Sequence, residues 1–164
     1  MEINEKCSRI YDLIDQINSS PVRTKTILLV GAHGAGKTQV LTKAAEDYGT
    51  TRINLNLELG KRLNEVPEKR RAIKAPSFLD EIIDASPEGE KPLIFDNIEL
   101  LFSPELELES LALLEDAGRR ATLIVSWPGT IIGGSLSYAE PGYKEYKTYR
   151  NFDSFTVSME ELKI

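Results

Sequence analysis

The chain has 164 residues, of which 41% are hydrophobic and 28% charged, and its formal net charge is −6. This size suits one compact domain over residues 1–164, and the composition excludes the disordered, fibrous and membrane-spanning classes. The acidic balance argues against a protein that coats nucleic acid by charge alone, while one cysteine and one histidine argue against a disulfide and a Cys/His metal site. With no export signal in view, we expect a cytoplasmic protein that does not span a membrane.

The first third of the chain alternates between helical and strand-forming segments. Isoleucine and leucine recur at helical spacing near the start, which predicts an amphipathic helix over residues 1–20. An apolar run at 26–30 predicts a strand that enters a glycine-rich loop, and residues 38–48 predict the helix that follows. A second short strand is predicted at 52–55.

The middle of the chain is more polar. The charged stretch 65–74 is interpreted as a solvated segment. A helix is predicted over 77–85, directly after Pro76, and a turn at 86–89.

The second half returns to apolar runs. Residues 93–96 predict a third strand, 106–117 a leucine-rich helix, and 122–125 a fourth strand. A polar, tyrosine-rich segment at 135–150 precedes a fifth strand at 155–159. Five short strands separated by helical segments indicate an α/β domain with a mostly parallel sheet, whose ligands bind at the carboxyl ends of the strands.

The glycine-rich loop carries the most specific motif. It reads Gly31-Ala32-His33-Gly34-Ala35-Gly36-Lys37-Thr38 and fits the pattern G-x-x-x-x-G-K-[ST] in full, between a strand and a helix start. Its backbone N–H groups would face phosphate oxygens, Lys37 would bring a charge to the terminal phosphates, and the hydroxyl of Thr38 would bind Mg²⁺. The alternative is a simple glycine turn.

The predicted nucleotide-binding residues are Gly31, His33, Gly34, Ala35, Gly36, Lys37, Thr38 and Gln39. ATP is favoured over GTP because the sequence has no guanine-reading Asn-Lys-x-Asp motif. Asp96 ends an apolar strand in the Walker B arrangement, so Thr38 and Asp96 are the predicted ligands of Mg²⁺. On its own, such a strand could equally end in an aspartate at a turn.

Together these features resemble the AAA+-like P-loop ATPase core over about residues 20–160. The resemblance implies a three-layer P-loop NTPase of the ASCE class, with a five-stranded, mostly parallel sheet and an additional strand between the Walker A and Walker B strands. We expect no C-terminal helical lid after residues 155–159, which departs from most AAA+ proteins.

Two positions are interpreted through this resemblance. A glutamate usually follows the Walker B aspartate in these ATPases, and Asn97 stands there instead. Either Glu99 reaches the attacking water, or Asn97 orients it, or hydrolysis is slow until a partner completes the site, and we expect slow turnover. Ser126 ends the fourth strand, where these proteins carry a polar sensor for the γ-phosphate, although a turn-forming serine is the alternative.

Basic residues outside the loop suggest further contacts. Arg119 and Arg120 could reach the nucleotide of a neighbouring subunit, or simply place favourable charge at a helix end. Two basic sets could contact duplex DNA. The first is Lys69, Arg70, Arg71 and Lys74, for which a solvated loop is the alternative. The second is Lys144, Lys147 and Arg150 beside Tyr143, Tyr146 and Tyr149, for which a tyrosine face packed on the domain's core is the alternative.

A narrower resemblance rests on residues 31–38, on Asp96-Asn97-Ile98-Glu99 and on Pro141-Gly142-Tyr143-Lys144-Glu145-Tyr146. With these features the chain resembles the BrxF family, small lidless P-loop proteins of some bacterial BREX phage-defence systems. The resemblance implies a role in antiviral defence, with the other proteins of such a system as partners and phage or host DNA as their shared target.

The sequence therefore predicts a Mg²⁺-dependent ATPase with weak intrinsic hydrolysis, which uses its nucleotide state to control assembly with itself, with partner proteins or with DNA. The predicted catalytic residues are Lys37, Asp96, Asn97, Glu99, Ser126, Arg119 and Arg120. A nucleotide-gated binding module without meaningful catalysis is the alternative, and a small-molecule kinase is a third reading.

Overall fold

A computed structural model describes residues 2–85, 91–139 and 142–160 of the chain. Its helices are α1 (Glu2–Ser19), α2 (Lys37–Tyr48), α3 (Leu55–Leu63), α4 (Arg71–Asp84) and α5 (Ser110–Ala117). Its strands are β1 (Thr26–Gly31), β2 (Arg52–Asn54), β3 (Leu93–Asp96), β4 (Leu123–Ile132), β5 (Ser135–Tyr138), β6 (Lys147–Tyr149) and β7 (Phe155–Ser158). Short 3₁₀ turns lie at Glu68–Arg70, Glu99–Phe102 and Pro104–Leu106.

A parallel sheet organises the molecule. Its strand order is β2-β3-β4-β1-β7, and all four neighbouring pairs on this path are parallel. The far end of β4 continues as an antiparallel extension with β5 and β6. Because β4 lies between β1 and β3, the carboxyl ends of these three strands meet at one edge of the sheet.

Alternating side chains of the strands fill two separate cores. Leu28, Phe95 and Val125 belong to the core that includes the apolar residues of α3, α4 and α5. Ile27 and Ile124 belong to the core on the opposite face, beneath α1 and α2. Helices thus cover both faces of a parallel sheet, as parallel sheets require, and the sandwich has three layers.

The amino end of β1 is fixed to the carboxyl end of α5. The hydroxyls of Thr24 and Thr26 donate to the carbonyls of Glu115 and Leu114 at 2.6 and 2.8 Å. Gly118 follows the helix, and a Cβ there would lie 2.1 Å from both hydroxyl oxygens. The missing side chain therefore allows the helix end to approach the strand.

The structure confirms the α/β class, the N-terminal helix and the five parallel strands. The 65–74 stretch is exposed or half-buried throughout, as expected of a solvated segment, although its last residues are helical. The start of the helix after Pro76 is corrected. That helix, α4, begins at Arg71 and contains Pro76. The missing N–H of Pro76 is tolerated near the start of the helix because Ala75 and Leu79 are buried against the core.

The leucine-rich helix also begins later than predicted. The 106–117 pattern includes a 3₁₀ turn that ends at Leu106, and Glu107 then adopts a left-handed φ of 52°. This φ is incompatible with an α-helix, so α5 begins only at Ser110.

The fourth strand does not end at residue 125, and the polar, tyrosine-rich segment contains β5 and β6. β4 continues to Ile132 because Pro128, which cannot donate, lies where the partner of β4 changes from β1 to β5. The carbonyl of Pro128 still accepts the N–H of Ala139 at 2.8 Å. Neither β5, β6 nor the helix α3 was predicted, and the turn predicted at 86–89 lies outside the described residues.

Candidate functional site

The loop between β1 and α2 forms a concave backbone with the amine of Lys37 lying across it. Gly34 and Gly36 have φ values of 80° and 98°, which strain any other residue. The Nζ of Lys37 donates to the carbonyls of Gly31 and Ala32 at 2.5 and 2.8 Å. Burial lowers the pKa of Lys37, and the carboxylates of Asp96 and Glu99 oppose that shift.

Asp96, at the end of β3, is nearly buried and is bonded through both carboxylate oxygens. Its Oδ2 accepts hydrogen bonds from the hydroxyl of Thr38 at 2.8 Å and from Nη1 of Arg52 at 2.9 Å. Its Oδ1 accepts the backbone N–H of Asn97 at 3.0 Å. Thr38 and Asp96, the two residues predicted to bind Mg²⁺, are therefore in direct contact. The guanidinium of Arg52 already pairs with Asp96.

Asn97 and Glu99 lie in a small network beside Asp96. Asn97 has a left-handed φ of 56°, and its carbonyl accepts the N–H of Asn56 at 2.8 Å. The side chain of Asn56 donates to Glu99 at 3.4 Å and accepts the N–H of Leu100 at 2.7 Å. Asn56 thus connects the start of α3 to the turn that carries Glu99.

Most of the predicted site residues line a cavity of about 430 Å³ at the carboxyl ends of the strands. It is lined by His33, Gly34, Gly36, Lys37, Thr38, Gln39, Asp96, Asn97, Glu99, Ser126 and Pro128. Ser126 pairs in register with Leu29 of β1 and is buried, so it faces this cavity from the neighbouring strand. Gly31 and Ala35 do not line the cavity but lie close together, since an added Cβ on Gly31 would lie 2.9 Å from Met159 and 3.3 Å from Ala35.

Arg119 and Arg120 lie elsewhere. They follow α5 and precede β4, whose first residue bonds to the start of β1, so they lie at the amino ends of the strands. Arg120 donates to Asp80 at 2.7 Å and to Asp84 at 3.0 Å on α4. Neither arginine lines the cavity within its own chain, and a role toward a neighbouring subunit stays a prediction.

The two basic sets are on the surface. Lys69, Arg70 and Lys74 are exposed around the start of α4, next to Ile73, which is 80% exposed. Arg71 is half-buried, and its Nε donates to the carbonyl of Leu63 at 3.0 Å.

The tyrosines spaced three apart do not share one face. Tyr149 is half-buried with its ring edge-on to Trp127 at 5.9 Å, whereas Tyr143 and Tyr146 are exposed. Lys144 and Lys147 are exposed beside them. The interpretation as packing on the domain's own core therefore holds for Tyr149, and contact with DNA stays a prediction.

A second, larger cavity of about 830 Å³ adjoins the first. The two share His33, Glu99 and Pro128 as lining residues. Tyr138, which ends β5, and Tyr143, between β5 and β6, line the larger cavity alone.

Sequence reasoning missed Arg52 and Asn56 at the site. Arg52 lies in β2, which pairs with β3, and the only signal was a charged residue in a short strand. Asn56 follows Asn54, whose side chain caps α3 by accepting the N–H of Leu57 at 3.1 Å. Neither residue belongs to a motif, so strand pairing was needed to find them.

The hydroxyl of Thr38 and the carboxylate of Asp96 are hard oxygen donors that suit Mg²⁺. Across residues 2–85, 91–139 and 142–160, His, Cys, Asp and Glu side chains form no group of three or more that could hold a metal by themselves. A site made of these two residues is thus suited to a Mg²⁺ ion whose other ligands come from a nucleotide and water.

No helix within the described ranges combines the length and apolar character needed to cross a membrane. Comparisons with protein-family models, with curated proteins and with solved structures found no match to this chain.

Proposed function

We propose that this chain is a P-loop ATPase with an AAA+-like core, which binds Mg·ATP in the smaller cavity and hydrolyses it slowly on its own. The observation that carries the proposal is the convergence of Lys37, Thr38 and Asp96 on one cavity, with Thr38 and Asp96 joined at 2.8 Å. Cavities at the carboxyl ends of parallel strands are the usual ligand sites of α/β sheets.

The residues of the cavity have distinct roles in this proposal. The loop N–H groups and the start of α2 face the phosphates, because the first N–H groups of a helix lack partners within it. Lys37 neutralises the terminal phosphates, and Ser126 donates to the γ-phosphate. Mg²⁺, held by Thr38 and Asp96, would supply neutralisation of charge on the β- and γ-phosphates.

The strand order supports an AAA+-like assignment. β4 lies between the loop-bearing strand β1 and the Asp96-bearing strand β3. This is the position of the additional strand in the ATPases that the sequence resembles.

Slow turnover follows from the groups that face the attacking water. The Asn97 amide cannot act as a base. The Glu99 carboxylate accepts a hydrogen bond from the Asn56 side chain at 3.4 Å, which restrains it. Arg52 also occupies one oxygen of Asp96.

We propose that the protein acts in the cytoplasm and that its nucleotide state controls assembly. The partners would be copies of the chain, other proteins of a phage-defence system, or duplex DNA. The DNA would be contacted through Lys69, Arg70, Arg71, Lys144 and Lys147.

Calorimetric titration with ATP and Mg²⁺ tests the proposal. Wild-type protein should bind, and Lys37→Ala should abolish measurable binding because it removes the charge that crosses the loop. Lys61→Ala removes an exposed lysine of α3 and is the matched control. Circular dichroism should report a folded Lys37→Ala protein, and equal ATP affinity in that variant would refute the proposal.

A nucleotide-gated binding module without catalysis is the second candidate, and Asn97 at the base position favours it. A hydrolysis assay with duplex DNA separates the two functions. Background turnover in the wild type, together with turnover created by Asn97→Glu, would support the module. Measurable wild-type turnover that Glu99→Gln removes would support the ATPase.

A further inference from the structure

The larger cavity has the size and the walls of a small-molecule site. Its volume is about 830 Å³, and drug-sized ligands occupy pockets of roughly 300–1,000 Å³. The rings of Tyr138 and Phe102 stack at 3.5 Å, and Trp127 packs edge-on against both, so the wall is backed by a buried aromatic cluster. A wall of this kind keeps its shape without a ligand.

The charges of this cavity have one sign. Glu99 and Glu145 line it, and no lysine or arginine appears among the described residues around it. Burial raises the pKa of the Tyr138 phenol, and the negative charges of Glu99 and Glu145 raise it further. Both carboxylates therefore act on the space in front of this ring, where a cation is favoured and a phosphate or a nucleic acid is not.

The position of the cavity connects it to the phosphate compartment. Glu99, His33 and Pro128 line both spaces, so a ligand in the larger cavity lies next to the loop and adjoins the space that Asp96 lines. Lys37 lines the smaller cavity but not the larger one. The larger cavity thus shares the Glu99 carboxylate with the phosphate compartment but not its lysine.

We infer that the larger cavity binds a small organic cation, an ammonium group on an apolar or aromatic body, with its charge between Glu99 and Glu145 and its body against Tyr138 and Tyr143. Tyrosine faces attract ammonium groups, and carboxylates pair with them. The apolar lining, which includes Leu100, Pro104 and Ala139, would take the body of the ligand.

Three ring-bearing probes of similar size test the charge preference. They are phenethylamine, a cation, 2-phenylethanol, which is neutral, and 3-phenylpropanoate, an anion. Protein-observed NMR titrations should give the tightest binding for the cation and the weakest for the anion. Shifts should fall on residues of the cavity, such as Ala139 and Thr130.

Variants show whether the carboxylates cause that preference. Glu145 lies outside the phosphate compartment. Glu145→Gln should reduce the ratio of the affinities for the cation and the neutral probe about five-fold or more, which corresponds to a loss of about 1 kcal/mol. Glu65→Gln, an exposed carboxylate that does not line the cavity, should leave it unchanged. Equal binding of cation and neutral probe, or an unchanged preference in Glu145→Gln, would overturn the inference. Binding of a lysine-containing peptide in place of phenethylamine would also overturn it, in favour of a protein partner.

A second measurement deepens the inference and rests on the proposed ATP site. A triphosphate beside Glu99 would attract the bound cation, so Mg²⁺ with a non-hydrolysable ATP analogue should tighten phenethylamine binding about five-fold, and phenethylamine should tighten the analogue equally. If the analogue does not bind, the proposed function fails while the cation site stands on the first test. If both bind without coupling, the adjacency argument fails.

Discussion

At the scale of single residues, Arg52 changes the interpretation of Asp96. The guanidinium lies 2.9 Å from Oδ2 of Asp96, the oxygen that also accepts the Thr38 hydroxyl. A carboxylate oxygen with two donors is less available to a metal ion, since the arginine charge opposes a second cation nearby. Arg52 therefore competes with Mg²⁺ for Asp96 in the proposed ATPase.

Arg52→Gln should lower the Mg²⁺ concentration needed for half-maximal ATP binding. The pair is partly exposed, with 35% of the Arg52 side chain accessible, so its effect is on the order of 1 kcal/mol, or about five-fold in Mg²⁺. Titrating Mg²⁺ at fixed ATP with a fluorescent nucleotide measures it. Arg23→Gln, whose side chain is 85% exposed, is the control, and a higher Mg²⁺ requirement in Arg52→Gln would mean that Arg52 supports the metal site.

At the scale of elements, the junction between α5 and β1 depends on the absence of a side chain. A Cβ on Gly118 would lie 2.1 Å from the hydroxyl oxygens of Thr24 and Thr26, which bond to the end of α5. The helix would have to move away from the strand that carries the glycine loop. This contact therefore supports the site from the opposite edge of the sheet.

Gly118→Ala should lower the free energy of unfolding by about 1–3 kcal/mol, the usual cost of overpacking a tight contact. Urea denaturation followed by circular dichroism measures the change. Gly60→Ala provides a matched control in α3, where the nearest atom to the new Cβ lies at 3.9 Å, and it should be neutral or stabilising. Equal stability of the two variants would contradict the proposed packing.

The β4–β6 extension is the element that sequence patterns could not predict. On the parallel path, β1, β3 and the start of β4 are short apolar runs, so hydrophobicity identifies them. In contrast, β4 continues through Pro128. The strand β6 consists of Lys147, Thr148 and Tyr149, and its first two residues are polar and exposed. Its pairing with β5 comes from tertiary contacts, which local propensity does not record.

The sequence predicts the site in part, as it does the fold. The loop residues and Asp96 were found because phosphate and metal chemistry demands particular residue types at fixed spacing. Arg52 and Asn56 reach the site through strand pairing and a helix start, and such neighbours have no fixed spacing in sequence. Pro76 predicts a helix boundary, but α4 begins at Arg71, because burial of its apolar face outweighs one lost hydrogen bond.

Tyr149 in β6 gives the extension a measurable dependence on pH. Burial, together with the negative charge of Glu109, raises the pKa of Tyr149 to about 12 from its ordinary value of 10.0. The folded protein then keeps the phenol proton at pH values where the unfolded chain loses it. This contribution to stability is complete below pH 10 and is lost as the pH rises toward 12.

Tyr149→Phe should flatten the alkaline limb of the stability curve. The wild type should lose up to about 2 kcal/mol more than the variant between pH 10 and 12, because one pKa unit corresponds to 1.36 kcal/mol and the ring is only half-buried. Urea unfolding at several pH values measures both proteins, and the remaining tyrosines and lysines titrate equally in each. Parallel curves would show that the Tyr149 phenol ionises normally.

At the scale of the whole molecule, the smaller cavity depends on several elements at once. The glycine loop follows β1, Asp96 ends β3, Ser126 lies in β4, and Asn97 is bonded to the start of α3. A ligand in this cavity therefore contacts segments that come together only in the folded chain. Binding must favour the folded state by mass action, whether or not hydrolysis follows.

Mg·ATP should accordingly raise the thermal midpoint of the wild type. At a ligand concentration one hundred times Kd the gain is about 2.7 kcal/mol, and a domain of this size moves by about 2–4 °C per kcal/mol, so a shift of roughly 5–10 °C is expected. A non-hydrolysable analogue should give a similar shift, since the gain comes from binding. Differential scanning calorimetry of the wild type and Lys37→Ala measures it. An equal shift in the variant would mean that the nucleotide binds elsewhere, because the Lys37 amine lies across the glycine loop and lines the cavity.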